Sequence, residues 1–151
     1  MVLVGLAIGW IVRSGPATVA EIGSPAPDFT VELTDGGAFT LSEHRGGPVV
    51  VNLWASWCEP CRTEIPAISA FAATHPDVVV VGVAVEDADD ASRAFAEEIG
   101  AGYPLALGNP AFEDAYPRIG LPVTYVLDER GVVSDIYNGI IDDEILGGLV
   151  D

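Results

Sequence analysis

The sequence contains no lysine, and its six arginines stand against 23 acids, a formal charge of −17 at neutral pH. A surface of that sign repels phosphate backbones and anionic headgroups, which argues against nucleic-acid binding and electrostatic adhesion to membranes. It favours solubility or a basic partner. Histidine is limited to His44 and His75, which lack any paired ligand spacing, so two cysteines alone leave a zinc site half built. Cysteine itself occurs only as Cys58 and Cys61. A structural staple across two intervening residues closes too short a loop to gain much entropy. The apolar stretch Met1–Val12 is shorter than the roughly 20 residues that span a bilayer, and no basic residue precedes it. Disorder is excluded as well, because half of the 151 residues are apolar, enough for the core of one domain.

What is present is organised around Val49–Pro66. Val49, Val50, Val51, Asn52, Leu53 and Trp54 form a short run rich in β-branched and aromatic residues, suited to a strand buried on both faces. Ala55–Cys61 interrupts it, and Arg62–His75 resumes with helical spacing, since Ile65, Ile68, Phe71 and Ala72 make one apolar stripe. Pro60 fits the first helical turn, where a missing N–H costs nothing. Both cysteines therefore lie where a buried strand feeds a helix N-terminus. Unpaired helix N–H groups and the helix dipole favour an anion there, and the thiolate is the reactive form of cysteine. The spacing predicts Cys58 as the exposed attacking sulfur and Cys61, one turn inside, as the resolving one. Soft-metal binding, Cu(I) for example, uses the same thiolates and remains an alternative.

Trp57–Cys58–Glu59–Pro60–Cys61 after a valine-rich strand resembles the active site of the thioredoxin superfamily, and VVVNLWASWCEPCRTEIP is most similar to its TlpA/ResA-like branch of thiol–disulfide oxidoreductases. The likeness runs from about Gly23 to Gly139. Asn52 stands where thioredoxin carries a buried Asp. Glu64 stands where the ResA-like proteins carry an active-site Glu. The resemblance implies a role for Glu64 beside the sulfurs; read from the residues alone, Glu64 is equally an acid favoured early in a helix by the dipole.

In chain order, Met1–Val12 reads as the tail of a longer membrane anchor, a signal, or an ordinary N-terminal element, and the resemblance favours the first. Residues 13–24, rich in small residues, read as a linker before a domain over 25–151. Phe29, Val31 and Leu33, then Phe39 and Leu41, alternate around Asp35–Gly36–Gly37, an edge hairpin. Ser42–Arg45 is a short helical turn with His44 in solvent. Asp77–Val85 is a second buried strand, and the β–α–β pattern implies parallel pairing by a right-handed crossover. Asp89 or Asp90 then caps a helix that runs to Ile99 and ends at Gly100. Asn109–Pro110 starts a brief helix. Pro122 opens the strand Val123–Leu127, because proline is not tolerated inside a central strand. Asp128–Gly131 turns into an antiparallel partner, and a final helix over 140–150 is weakened by Gly147–Gly148.

The expected architecture is a three-layer α/β/α thioredoxin-like fold with an added N-terminal β-hairpin and a central sheet near Val49, Val78, Val123 and Val132. The resemblance implies a cis Leu121–Pro122 bond facing the cysteines, and substrate contacts at Trp57, Pro60 and Leu121, the last through exposed backbone. It implies a monomer that exchanges disulfides with exported proteins, such as apocytochrome c, on the outer side of the cytoplasmic membrane, anchored or secreted. A membrane thiol donor would re-reduce the pair, and neither cofactor nor metal is needed. A peroxiredoxin-like peroxidase is the runner-up, on the shared Ala26–Pro27–Asp28–Phe29 pattern. It is disfavoured because Ala55 and Val51 occupy the positions where that family needs Thr or Ser and Pro.

Overall fold

A computed structural model describes residues 19–151; Met1–Val12 and the first part of the expected linker lie outside them. Seven strands form one mixed sheet: β1 (Thr30–Leu33), β2 (Ala38–Thr40), β3 (Val49–Trp54), β4 (Val79–Ala84), β5 (Leu105–Leu107), β6 (Val123–Leu127) and β7 (Val133–Asn138). Their spatial order is β2-β1-β5-β4-β3-β6-β7. The helices are α1 (Glu59–Thr74), α2 (Asp89–Ile99), α3 (Pro110–Ala115) and α4 (Asp143–Val150), with a 3-10 turn at Leu41–His44.

Every residue of β3 is buried, as its unbroken apolar run requires of a strand covered on both faces. It pairs in parallel with β4 and antiparallel with β6. The connections β3-α1-β4 and β4-α2-β5 step the same way across the sheet, so right-handed crossovers place α1 and α2 on one face. Side-chain alternation divides the core accordingly. Val50, Trp54, Val80 and Ala84 pack with Ile65, Ile68, Phe71, Phe95 and Leu146 on the α1 face. Val49, Val51, Leu53, Val81 and Val83 pack with Phe29, Phe112 and Tyr116 on the other.

The sheet is wider than the four expected strands. The N-terminal hairpin is hydrogen-bonded into it, because β1 pairs with the three-residue β5 at Glu32–Leu107 and Leu33–Ala106. Residues before Pro25 are also tied down: Ala20 N–H donates to Ala115 O at 2.7 Å and Gly23 N–H to Val133 O at 2.8 Å. Asn109 caps α3 through Phe112 N–H at 2.9 Å, and Gly100 ends α2 with φ +58°. Neither Asp89 nor Asp90 caps α2. They lie in its first turn, and the cap position is Ala88, which has no capping side chain. Gly147 and Gly148 do not break α4, which is held by the Asp142 cap at Ile145 N–H, 2.8 Å, and by buried Leu146. His44 is half-buried and stacks on Phe39 at 4.4 Å between ring centroids, so it is a packing residue more than a solvated one. Pro66 lies inside α1 with its ring in solvent.

Gly82, in β4, leaves room that two core side chains occupy. A Cβ there would stand 2.7 Å from Leu105 Cδ2 and 3.1 Å from Trp54 Nε1, and the indole itself is stacked on Phe95. Gly82→Ala is expected to cost about 1–3 kcal/mol by overpacking. A lower urea midpoint at unchanged slope checks it; an unchanged midpoint would show that Trp54 and Leu105 yield without strain.

Candidate active site

The strand β3 ends at Trp54, and a tight turn closed by Cys58 N–H donating to Ala55 O at 3.2 Å delivers the chain to α1. Cys58 is the N-cap of that helix, and its Sγ accepts from Cys61 N–H at 3.3 Å. Pro60 occupies the first turn, where it forfeits no hydrogen bond. Cys58 and Cys61 are joined in a disulfide, with 5.3 Å between their Cα atoms. Cys58 retains 4% exposure and Cys61 none, so the ranking expected from spacing holds while Cys58 is far less open than an exposed sulfur. The helix end that caps the sulfur would stabilise a thiolate on Cys58 when the bridge is open.

Glu64 follows Cys61 by three residues and so lies on the same face of α1. It is the sixth residue of the helix, past the first turn, and fully buried, which removes the reading of it as a surface acid answering the dipole. Its Oε1 accepts from Asn52 Nδ2 at 2.6 Å, and its Oε2 from Ile141 N–H at 3.1 Å. Asn52 Nδ2 also donates to Thr124 Oγ1 at 3.1 Å, across the β3–β6 register pair, while Asn52 Oδ1 has no partner among the described residues. Burial pushes the Glu64 carboxyl from 4.5 up to about 7, against the lowering effect of the Asn52 and Ile141 hydrogen bonds. Tyr103 packs in the same cluster as both cysteines; burial first, and then the Glu64 charge, hold its phenol above the ordinary value.

The Leu121–Pro122 bond is cis, and Pro122 directly precedes β6. Leu121 packs against the cluster containing Cys58 and Cys61, and Pro122 O accepts from Gly139 N–H at 3.0 Å. Three large apolar side chains stand open around this end of the sheet: Trp57 at 60%, Ile119 at 97% and Ile140 at 49% exposure. Trp57 Nε1 is held by Glu86 O at 2.9 Å. Arg62 lies over the Phe95 ring at 4.7 Å and pairs with Glu98 at 2.9 Å, so this cation is already engaged. The structure thus brings Trp57, Cys58, Pro60, Cys61 and Glu64 to one helix start, with the Leu121 segment packed beside it. Ile141, Tyr103, Ile119 and Asp87 belong to this neighbourhood and carry no motif; Asp87 lies in the acidic stretch Glu86–Asp90 that follows β4. Among the described residues, no group of three or more His, Cys, Asp or Glu side chains is arranged to hold a metal ion.

Comparison with known proteins agrees with this geometry. Residues 22–136 match the model of the AhpC/TSA family. The thioredoxin-like protein YneN of Bacillus subtilis is 35% identical over 121 residues, covering 78% of this chain and 71% of YneN. The thiol-disulfide oxidoreductase ResA of the same organism is 32% identical over 139 residues, covering 89% of this chain and 76% of ResA. Among solved structures, a thiol:disulfide interchange protein of the thioredoxin family from Chlorobium tepidum TLS superposes with a TM-score of 0.77 at 28% identity, over 83% of this chain and 92% of that one.

The Glu64 site makes stability depend on pH in a defined sense. Its folded pKa, about 7, lies above the ordinary 4.5. Its favourable contribution is therefore complete below pH 4.5 and is lost as pH rises through 7, a change of about 3 kcal/mol. Urea titrations of the disulfide-closed protein should show the unfolding free energies of the parent and Glu64→Gln converging or crossing across that window. Parallel profiles would mean that Glu64 ionises in the fold as it does in water.

Proposed function

This chain belongs to the AhpC/TSA family and is a thiol–disulfide oxidoreductase of the ResA type, with a thioredoxin-like fold; from that premise we propose that Cys58 is its nucleophile and Cys61 its resolving thiol. The reduced Cys58 thiolate attacks one sulfur of a partner disulfide, forming a mixed disulfide and expelling the other partner sulfur as a thiolate. Cys61, as thiolate, then attacks Cys58 Sγ, closes the Cys58–Cys61 bridge and releases the second partner thiol. Two electrons pass to the partner, and a dithiol donor restores the pair by the reverse steps. The observation that carries this assignment is the Cys61 N–H to Cys58 Sγ bond at the start of α1, which favours negative charge on Cys58.

Glu64 fits the proton traffic of the inner sulfur. A carboxyl titrating near 7, one helical turn from Cys61, can take the proton that Cys61 must lose before it attacks, at the pH where exchange operates. Asn52 orients it and cannot itself titrate. Protein partners are supported by the apolar rim of Trp57, Ile119 and Ile140, which suits a polypeptide segment better than a small solute. Leu121 and Pro122 serve as its backbone seat in this reading. The resemblance drawn from the sequence extends the proposal to exported proteins, apocytochrome c among them. In this reading the enzyme is a monomer working outside the cytoplasmic membrane, anchored or secreted and re-reduced by a membrane thiol donor. No helix among the described residues is long and apolar enough to cross a membrane.

Single-cysteine variants test the assignment. Mixed with a cystine-bridged peptide, reduced Cys61→Ser should accumulate a covalent adduct, visible on a non-reducing gel and cleaved by dithiothreitol, because attack survives and resolution fails. Cys58→Ser should form none. Adduct formation by Cys58→Ser alone would reverse the roles of the two sulfurs.

A further inference from the structure

The turn between β4 and α2, Val85–Ala88, contains none of the residues assigned above, yet two separate parts of the site are fastened to it. Ser56 and Trp57 are the central residues of the Ala55–Cys58 turn that presents the nucleophile. Ser56 donates twice to one carboxylate, from its N–H to Asp87 Oδ2 at 2.7 Å and from its Oγ to Asp87 Oδ1 at 2.9 Å. Asp87 also accepts from Ala88 N–H at 3.0 Å and from Ser92 Oγ at 2.8 Å, so four donors converge on it and its position is fixed from its own helix. Trp57 is held one residue earlier, at Glu86 O. On the opposite side, Glu86 N–H donates to Glu113 Oε1 at 3.0 Å, and Arg118 pairs with Glu113 at 2.7 Å and with Glu86 at 3.5 Å. Arg118 lies in the segment leading to Pro122. Glu86 has φ +50°, a left-handed conformation that a residue with a side chain adopts only under constraint.

We propose that Asp87 is a positioning residue for thiol–disulfide exchange, its carboxylate fixing the Ala55–Cys58 turn and hence the direction in which Cys58 Sγ meets an incoming sulfur. The proposal rests on the reading of Cys58 as nucleophile. Sulfur displacement is in-line: the attacking, central and leaving sulfurs must align, and a tether that sets the attacking atom to within a fraction of an ångström acts on the rate directly. Charge-assisted hydrogen bonds to a backbone N–H and a hydroxyl on the same residue leave Ser56 little freedom to rotate. The Arg118 and Glu113 contacts brace the same turn from the side of Pro122, so the cysteine turn and the proline segment are referenced to one point.

The test uses the full reduced chain carrying Cys61→Ser, in which the adduct is not resolved, with a cystine-bridged peptide, and reads the rate of mixed-disulfide formation on its high-pH plateau. There Cys58 is wholly thiolate, so the plateau reports orientation and not proton loss. Asp87→Ala should lower that plateau about tenfold or more, and Asp87→Asn, which puts a donor where Ser56 needs an acceptor, should fall between it and the parent. Asp89→Asn removes the same charge from the exposed first turn of α2 and should leave the plateau unchanged. In the double variant Ser56→Ala/Asp87→Asn, the two losses should combine to less than their product. Ser56→Ala and Asp87→Asn keep the test readable if Asp87→Ala does not fold. Plateaus within about twofold of the parent in both folded variants would overturn the proposal. A parental plateau in Cys58→Ser with Cys61 intact would instead overturn the nucleophile assignment on which it rests, so the two failures are told apart.

Discussion

A carboxyl group with no cation facing it among the described residues is held inside the domain, a single helical turn from a disulfide. Removing a charge from water is among the more costly acts in folding, and unpaired carboxylates normally answer by staying protonated. Glu64 does this in part. Its two oxygens are occupied by an amide and a backbone N–H, neither of which brings positive charge. The surroundings supply hydrogen bonds without neutralisation, which leaves the group balanced between its two forms near neutrality. A lysine or arginine at Asn52 would fix it as an anion, and an apolar residue there would fix it as an acid. The amide allows both.

That balance is possible only because the sheet is built as it is. Asn52 and Thr124 face each other across the β3–β6 register and on the side where α1 packs, so a single strand pairing puts both polar side chains under Glu64. A slip of one residue would turn them to the opposite face and bring Val51 or Leu53, and Val123 or Tyr125, into their places. The Ile141 N–H arrives from the far end of the chain, and it does so because β7 returns beside β6 and α4 closes over α1. Three segments distant in sequence meet at one oxygen pair, and the order of strands is what brings them there.

Much of this is legible in the sequence. Contiguous valines announced β3 and β4, and the i, i+3, i+4 stripe announced α1. Asn109–Pro110 announced α3, and a proline before an apolar run announced β6. Each of these is local chemistry, and each survived folding. What the residues did not disclose was relational. Four acids, Glu86, Asp87, Asp89 and Asp90, follow β4, and nothing in their order says that Asp87 turns inward to Ser56 while Asp89 and Asp90 face water; that depends on where the Ala55–Cys58 turn comes to rest. Leu105–Leu107 is too short to read as a strand, yet β4 on one side and β1 on the other make it one. Glu64 reads as an ordinary helix acid until the helix is known to begin at Glu59, which places it beyond the first turn and against the sheet.

Pro66 gives α1 a property that its sixteen-residue length conceals. Having no N–H, it cannot bond the carbonyl of Arg62, and its ring crowds that carbonyl, so the axial chain of hydrogen bonds is interrupted just past the cysteines. The opening turn of the helix is thus loosely coupled, along the axis, to the long remainder that is sunk in the core. Part of its restraint comes from the side, where the Arg62 guanidinium lies on Phe95 and reaches Glu98. The segment carrying the disulfide therefore draws part of its stiffness from a neighbouring helix, and a disturbance of α2 has a direct route to the sulfurs through Arg62 and through Asp87.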